Sequence, residues 1–171
     1  MKNIKLYIPK ENELDFAKNI LADPATMAYN KGYDLPFPGY DKETGTITLS
    51  DSYLEKWYDL YFTNPGTFFY AYIYYQDLKV FVGDVNFHPS ENNPDARDIG
   101  IVIKDEFRGR GYGKAGLKLL IDKAFSFDSI KALCNNFEKK RAFALKIHLD
   151  LGFKIVYESD GILYLKLNIN N

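Results

Sequence analysis

Apolar positions in this chain change period several times, and each change marks a new element. Residues 3–8, Asn-Ile-Lys-Leu-Tyr-Ile, alternate and predict a short strand. Leu14, Ala17, Lys18 and Leu21 then follow at helical spacing, with Ile20 beside them, and Pro24 limits that helix. Residues 29–50 keep no period: Gly and Pro punctuate them, and acids and tyrosines populate them. They read as a long loop with room for short helical turns, and loops of that length in compact domains are often functional. Ser52 and Glu55 have capping-box spacing. The helix they predict carries Tyr53, Trp57, Leu60 and Tyr61 on one face and stops at Asn64-Pro65-Gly66.

Three strand-like runs follow, at 67–75, 80–87 and 96–103. Gln-Asp-Leu-Lys joins the first two as a tight hairpin, and residues 88–95 separate the second and third as a longer loop. The third run is nearly continuous in apolar residues, which suits a central buried strand. Leu117, Leu120, Ile121 and Ala124 mark one face of a helix. Residues 129–134 read as a strand, and 139–151 as a helix closed by Gly152 in the C′ position. The chain finishes as a hairpin around Ser159-Asp160-Gly161. The order is β-α-α-β-β-β-α-β-α-β-β, with no repeat, linker or low-complexity tract. We expect one mixed α/β domain over residues 1–171.

Composition narrows the picture. The apolar fraction is 46%, which excludes a disordered chain. There are 14 Tyr and 13 Phe, as a sheet-rich core or an aromatic-lined pocket requires. A formal net charge of −1 leaves no footprint for general nucleic-acid binding. The lone Cys134 excludes an internal disulfide. The N-terminus has no apolar run of signal-peptide length, and nothing approaches the ~20 apolar residues of a membrane span. The expectation is a soluble cytoplasmic protein.

The stretch Arg108-Gly109-Arg110-Gly111-Tyr112-Gly113-Lys114-Ala115-Gly116 lies between the third strand and the helix that follows. A glycine-rich turn entering a helix presents bare backbone N–H groups to an anion. The P-loop pattern fails here: Arg108 sits where its first glycine belongs, and Ala115 replaces its Mg²⁺-binding hydroxyl. Gly111, Gly113 and Gly116 match the dinucleotide fingerprint literally. However, several residues separate them from the strand, and no acid ends the next one, so an NAD site is the weaker alternative.

Arg108 to Gly113, set between a central strand and a helix, resembles the signature Arg/Gln-x-x-Gly-x-Gly/Ala of the GNAT superfamily of N-acetyltransferases. The element order resembles that family over nearly the whole chain. The resemblance implies a mostly antiparallel sheet with one splayed parallel strand pair, flanked by helices. It implies that acetyl-CoA is the cofactor. Its pyrophosphate would rest on Gly109, Gly111, Tyr112 and Gly113, with Arg108, Arg110 and Lys114 adding charge. Its pantetheine arm would pair with the backbone of Ile101, Val102 and Ile103, and Val102 would polarise the thioester carbonyl.

The resemblance also implies catalytic groups. Many relatives carry a tyrosine acid four residues before the Gly-Phe that follows the last helix, and here that position is His148. Asp98, at the start of the central strand, is the candidate base. Asp84, Asn86 and His88 alternate on the neighbouring strand and so share a face, and Asp84 is a candidate acceptor-binding group. The acceptor pocket would draw on the 29–50 loop, where Tyr33, Asp34 and Tyr40 suit a cationic amine by charge and aromatic face. No residue is assigned to a metal. The expected activity is acetyl transfer to a primary amine of a small cationic molecule, with a homodimer as one assembly. A non-catalytic acyl-CoA sensor on the same fold and a protein N-terminal acetyltransferase are the alternatives.

Overall fold

The structure, a computed structural model, describes residues 3–91 and 93–169. Residues 1–2 and 170–171, the ends of the expected domain, and residue 92, inside the expected 88–95 loop, lie outside it. In chain order the strands are β1 (Ile4–Tyr7), β2 (Phe69–Tyr75), β3 (Val80–Ser90), β4 (Asn93–Ile103), β5 (Ala132–Glu138), β6 (Lys154–Ser159) and β7 (Ile162–Asn168). The helices are α1 (Asp15–Ala22), α2 (Pro24–Met27), α3 (Asp51–Thr63), α4 (Tyr112–Ala124) and α5 (Ala142–Asp150).

The strands form one sheet in the order β1-β2-β3-β4-β5-β7-β6. Every neighbouring pair is antiparallel except β4 with β5. This is the expected mixed architecture. The short connections β2–β3, β3–β4 and β6–β7 require antiparallel neighbours, while the long return through α4 allows β5 to run parallel to β4.

Local chemistry moves several boundaries. Pro24 does not merely end α1; it starts α2, where its missing N–H is harmless. Asp23 caps that helix, accepting from the amides of Ala25 and Thr26 at 3.2 Å each. The cap of α3 is Ser50, whose Oγ accepts from the Tyr53 amide at 3.2 Å, rather than Ser52. The loop expected at 88–95 shrinks because Pro89 and Ser90 continue β3 against Arg97 and Asn93. Strand β5 begins and ends later than expected because β7 pairs with it as far as Glu138. A polar segment is held in a strand by its neighbour rather than by its own propensity.

Helix α4 covers one sheet face, where Leu117, Leu120 and Ala124 join Ala71, Ile73, Val85 and Phe87 in one buried cluster. An aromatic cluster covers the other: Tyr70 and Tyr72 with Ala17, Phe16, Trp57, Tyr61 and Phe81. A β-bulge divides these residues between the faces. Ile73 pairs with Gly83 but Tyr74 pairs with Phe81, so Val82 is an extra residue on β3.

Candidate active site

The parallel ladder between β4 and β5 consists of Ala96–Ala132, Arg97–Leu133 and Asp98–Cys134. Beyond that point β4 stays with β3 to Ile103, and β5 stays with β7 to Glu138. The two strands therefore diverge, and among the described residues one edge of β4 from Ile99 onward has no strand partner. A cavity of about 1180 Å³ reaches this gap. Val102, Asp98, Cys134 and Asn135 line it there, and Asp84 and Asn86 continue its wall along β3.

Beside the gap, the glycine stretch turns into α4. Gly109 and Gly111 have φ of +71° and +85°, which glycine adopts without a Cβ penalty, and nothing lies within 4 Å of where a Cβ would stand on either. The first hydrogen bond of the helix runs from the Ala115 amide to Gly111 O at 3.2 Å. The amides of Gly113 and Lys114 precede it, and such helix-end donors stay open to an anion. The candidate cofactor residues divide into two groups. Arg110 is exposed above the Phe107 ring, 6.0 Å from its centroid. Arg108 is engaged inward: Nε donates to Ile103 O at 3.1 Å and Nη2 to Thr26 O. Lys114 pairs with Asp150 at 2.8 Å. Tyr112 is buried against Tyr75 and Phe107. The loop thus offers an anion its backbone and Arg110, while Arg108 and Lys114 hold its frame.

Asp84 is 3% exposed, and Tyr70 Oη donates to its Oδ2 at 2.9 Å. Burial pushes its carboxyl up to about 7. It stands opposite Val102 in the β3–β4 register. Aromatic rings wall the cavity beside it: Trp57 meets Tyr70 edge-on at 4.6 Å, and Tyr61 lies tilted against Trp57 at 5.0 Å. Asn86 and His88 continue the same face of β3. Asp98 is half-buried at the last paired position, beside Cys134. Burial, and then the Asp98 charge, push the Cys134 thiol up.

His148 is 2% exposed, with its ring between Phe137 and Phe153. Nδ1 lies 2.8 Å from Ala144 O, which can only accept, so Nδ1 carries the proton. Nε2 lies 2.9 Å from Asn135 Nδ2, while Asn135 Oδ1 accepts from the Asn136 amide at 2.8 Å, so Nε2 accepts. The ring is neutral, and burial holds its pKa below the usual value. Its proton points into its own helix, and its other nitrogen orients Asn135 at the gap.

The loop candidates lie apart from this group. Asp34 pairs with Lys42 at 2.6 Å. Tyr40 Oη donates to Asn30 O and Tyr33 O at 2.5 and 3.0 Å, and Tyr33 Oη accepts from Lys140 at 3.1 Å. These contacts knit the loop to itself and to the start of α5. Phe37, Ile47 and Leu49 are the residues of the loop that line the cavity. Among the described residues, no cluster of His, Cys, Asp and Glu is arranged to hold a metal ion.

Over residues 6–154 the chain matches the family model for the acetyltransferase (GNAT) domain. Several solved structures share its fold. An acetyltransferase of the GNAT family from Streptococcus pneumoniae is 14% identical with a TM-score of 0.73, over 97% of this chain and 99% of that one. The spermidine N-acetyltransferase of Vibrio cholerae, in complex with CoA and spermine, is 15% identical with a TM-score of 0.72, over 97% and 95%. An N-acetyltransferase of Campylobacter jejuni in complex with acetyl coenzyme A is 18% identical with a TM-score of 0.56, over 70% and 77%. No curated protein sequence matches.

Proposed function

The chain belongs to the acetyltransferase (GNAT) family, and we propose that it moves the acetyl group of acetyl-CoA onto the primary amine of a small cationic molecule. The observation that carries this reading is Asp84: a buried carboxylate in an aromatic-walled cavity, level with the strand edge where β4 leaves β5. Carboxylates and aromatic faces favour an ammonium group. The Vibrio cholerae neighbour in complex with spermine supports an acceptor of this class.

The residues suit the cofactor. The open faces of Gly109 and Gly111 and the first amides of α4 fit a pyrophosphate. The unpartnered edge at Ile101, Val102 and Ile103 fits an extended amide-bearing arm. Acetyl-CoA supplies an activated thioester. The backbone at Val102 would hold and polarise the thioester carbonyl. Asp84 binds the incoming ammonium and takes its proton. A carboxyl near 7 is a far better base than an ordinary one near 3.9, yet is still half ionised at neutral pH. Asp98, at the fork, holds a second negative charge for the acceptor or its proton relay. His148 positions Asn135, and its ring offers no proton toward the gap. Most of the rate comes from holding two reactants together. We infer a cytoplasmic location, where the lone Cys134 would stay a thiol.

The test is thiol release from acetyl-CoA across a panel of amines, with Asp84→Asn beside the unaltered protein. Turnover on a cationic member, reduced about 100-fold or more in D84N with acetyl-CoA affinity retained, is the expected result. Equal turnover in D84N removes Asp84 from the chemistry. Tight acetyl-CoA binding without turnover on any amine favours the sensor reading, to which the neutral, fully engaged ring of His148 lends weight.

A further inference from the structure

A row of residues facing the cavity crosses the second half of the sheet. The ladders place Asp98 of β4 beside Cys134 of β5, Cys134 opposite Lys166 of β7, and Lys166 opposite Lys154 of β6. Partners in neighbouring strands share a face. Asp98, Cys134 and Lys166 all line the cavity, so Lys154 stands on that side too. The Cys134 thiol lies in the field of both signs of charge: burial and then Asp98 raise its pKa, and Lys166 opposes them. The two lysines are out of place as structure. Like charges directly opposite one another in a ladder are destabilising. Among the described residues neither lysine has an ion-pair partner, although Lys114, Lys139 and Lys146 each meet a carboxylate.

The row thus holds a carboxylate at one end and an unneutralised positive pair at the other. Asp98 and Lys166 stand two strands apart, about 10 Å between backbones. An ammonium and a carboxylate on one carbon, the head of an α-amino acid, match those two charges. Val102 lies four residues beyond Asp98 on β4, about 13 Å along the strand. An acceptor held at the row therefore needs several carbons between its head and its reacting amine. We propose that the acceptor is a diamino acid, with its α-ammonium on Asp98, its carboxylate on Lys166 and Lys154, and its side-chain amine turned toward Asp84 and the thioester. This rests on the transferase reading above and narrows its cationic amine to one that also carries a carboxylate. Asp84 takes a proton from the side-chain ammonium, and the freed amine attacks the thioester carbonyl. The C–N bond forms as the C–S bond breaks, and the second nitrogen proton ends on the departing sulfur.

Two pairs of acceptors that differ by a single carboxylate test this: lysine against cadaverine, and ornithine against putrescine. Thiol release from acetyl-CoA is followed with each, for the unaltered protein and for Lys166→Met, Lys166→Arg and Lys154→Gln. The expected result is a kcat/KM at least about tenfold higher for the member of a pair that carries the carboxylate. K166M should bring that ratio near one, chiefly by raising KM for the amino acid, and K166R should restore it. K154Q should lower the ratio less, since Lys154 stands further from the fork. Fragmentation of the product should place the acetyl group on the side-chain nitrogen. Both K166M and K154Q should melt no lower than the unaltered protein, because each relieves a like-charge pair; a purely structural lysine would do the reverse. Equal kcat/KM within both pairs, a preference for the diamines, a preference for the amino acids that survives K166M, or acetylation of the α-nitrogen overturns the head site. Tight acetyl-CoA binding with no turnover on any amine is a different failure: it would sink the transferase reading itself, and the head site with it.

Discussion

Asp84 and His148 are both buried and both favour their neutral forms, yet they load the pH dependence of stability in opposite directions. Asp84 rises from an unfolded value of 3.8 to about 7. The native state therefore binds its proton more tightly, and stability falls as pH climbs from about 4 through 7, by on the order of 4 kcal/mol. His148 is lowered in the folded state. Its contribution is intact above the unfolded value near 6.5 and is lost as pH drops through the folded value. Thermal unfolding of D84N against the unaltered protein should show a gap in the mutant's favour that opens between about pH 4 and pH 7. Substituting His148 with Gln should flatten the loss on the acid side. A gap that stays constant with pH would mean that Asp84 does not carry this charge burden. The sequence made Asp84 legible as one of an alternating trio, but not as a buried group. Its burial depends on Tyr70, Trp57 and Tyr61, which arrive from two other elements.

The element that hides this arrangement is the bulge in β3. A hairpin registered from its Gln76–Lys79 turn, without interruption, sets Asp84 opposite Ala71, on the face that α4 covers. The extra residue Val82 moves its partner to Tyr72 and turns Asp84 to the cavity face. Gly83 marks the spot: a Cβ there would stand 2.2 Å from Val102 O. Gly83→Ala must move the β4 backbone, so we expect a loss of about 2–3 kcal/mol, read as a drop of roughly 5–10 °C in melting temperature. Gly111→Ala meets open space and suffers only from its positive φ, about 1–2 kcal/mol, while cofactor affinity falls more than stability. Reversal of that order in paired melting and binding curves would refute the argument. The glycine turn itself was legible because its chemistry is local: a strand, a bare backbone and a helix start follow one another in sequence.

At the scale of the whole molecule, two arginines from distant segments meet on Tyr29. Arg108 leaves the glycine turn to bond Thr26 O, and Arg141 leaves the start of α5 to bond Tyr29 O at 3.2 Å. Their guanidinium groups lie 6.0 and 4.9 Å from the Tyr29 ring centroid. The glycine turn and the start of α5 are thereby tied to the segment that leads into the 29–50 loop. Arg108→Ala should raise hydrogen exchange at residues 26–30 and raise the KM for the amine several-fold, alongside its effect on the cofactor. Unchanged exchange there would separate the two sides. The element order and sheet class were readable from period alone, whereas these long-range ties were not, since nothing local announces which carbonyl an arginine will reach. The fork between β4 and β5 has one more consequence, a mechanical one. Among the described residues, three ladder pairs and the hydrogen bond from the Lys131 amide to Asp95 O at 2.8 Å make the sheet's seam between the four strands before α4 and the three after it. Pulled across that seam, the sheet should tear there first, as a zip already half open does. A ligand lying in the fork would act as the stitch that raises the rupture force.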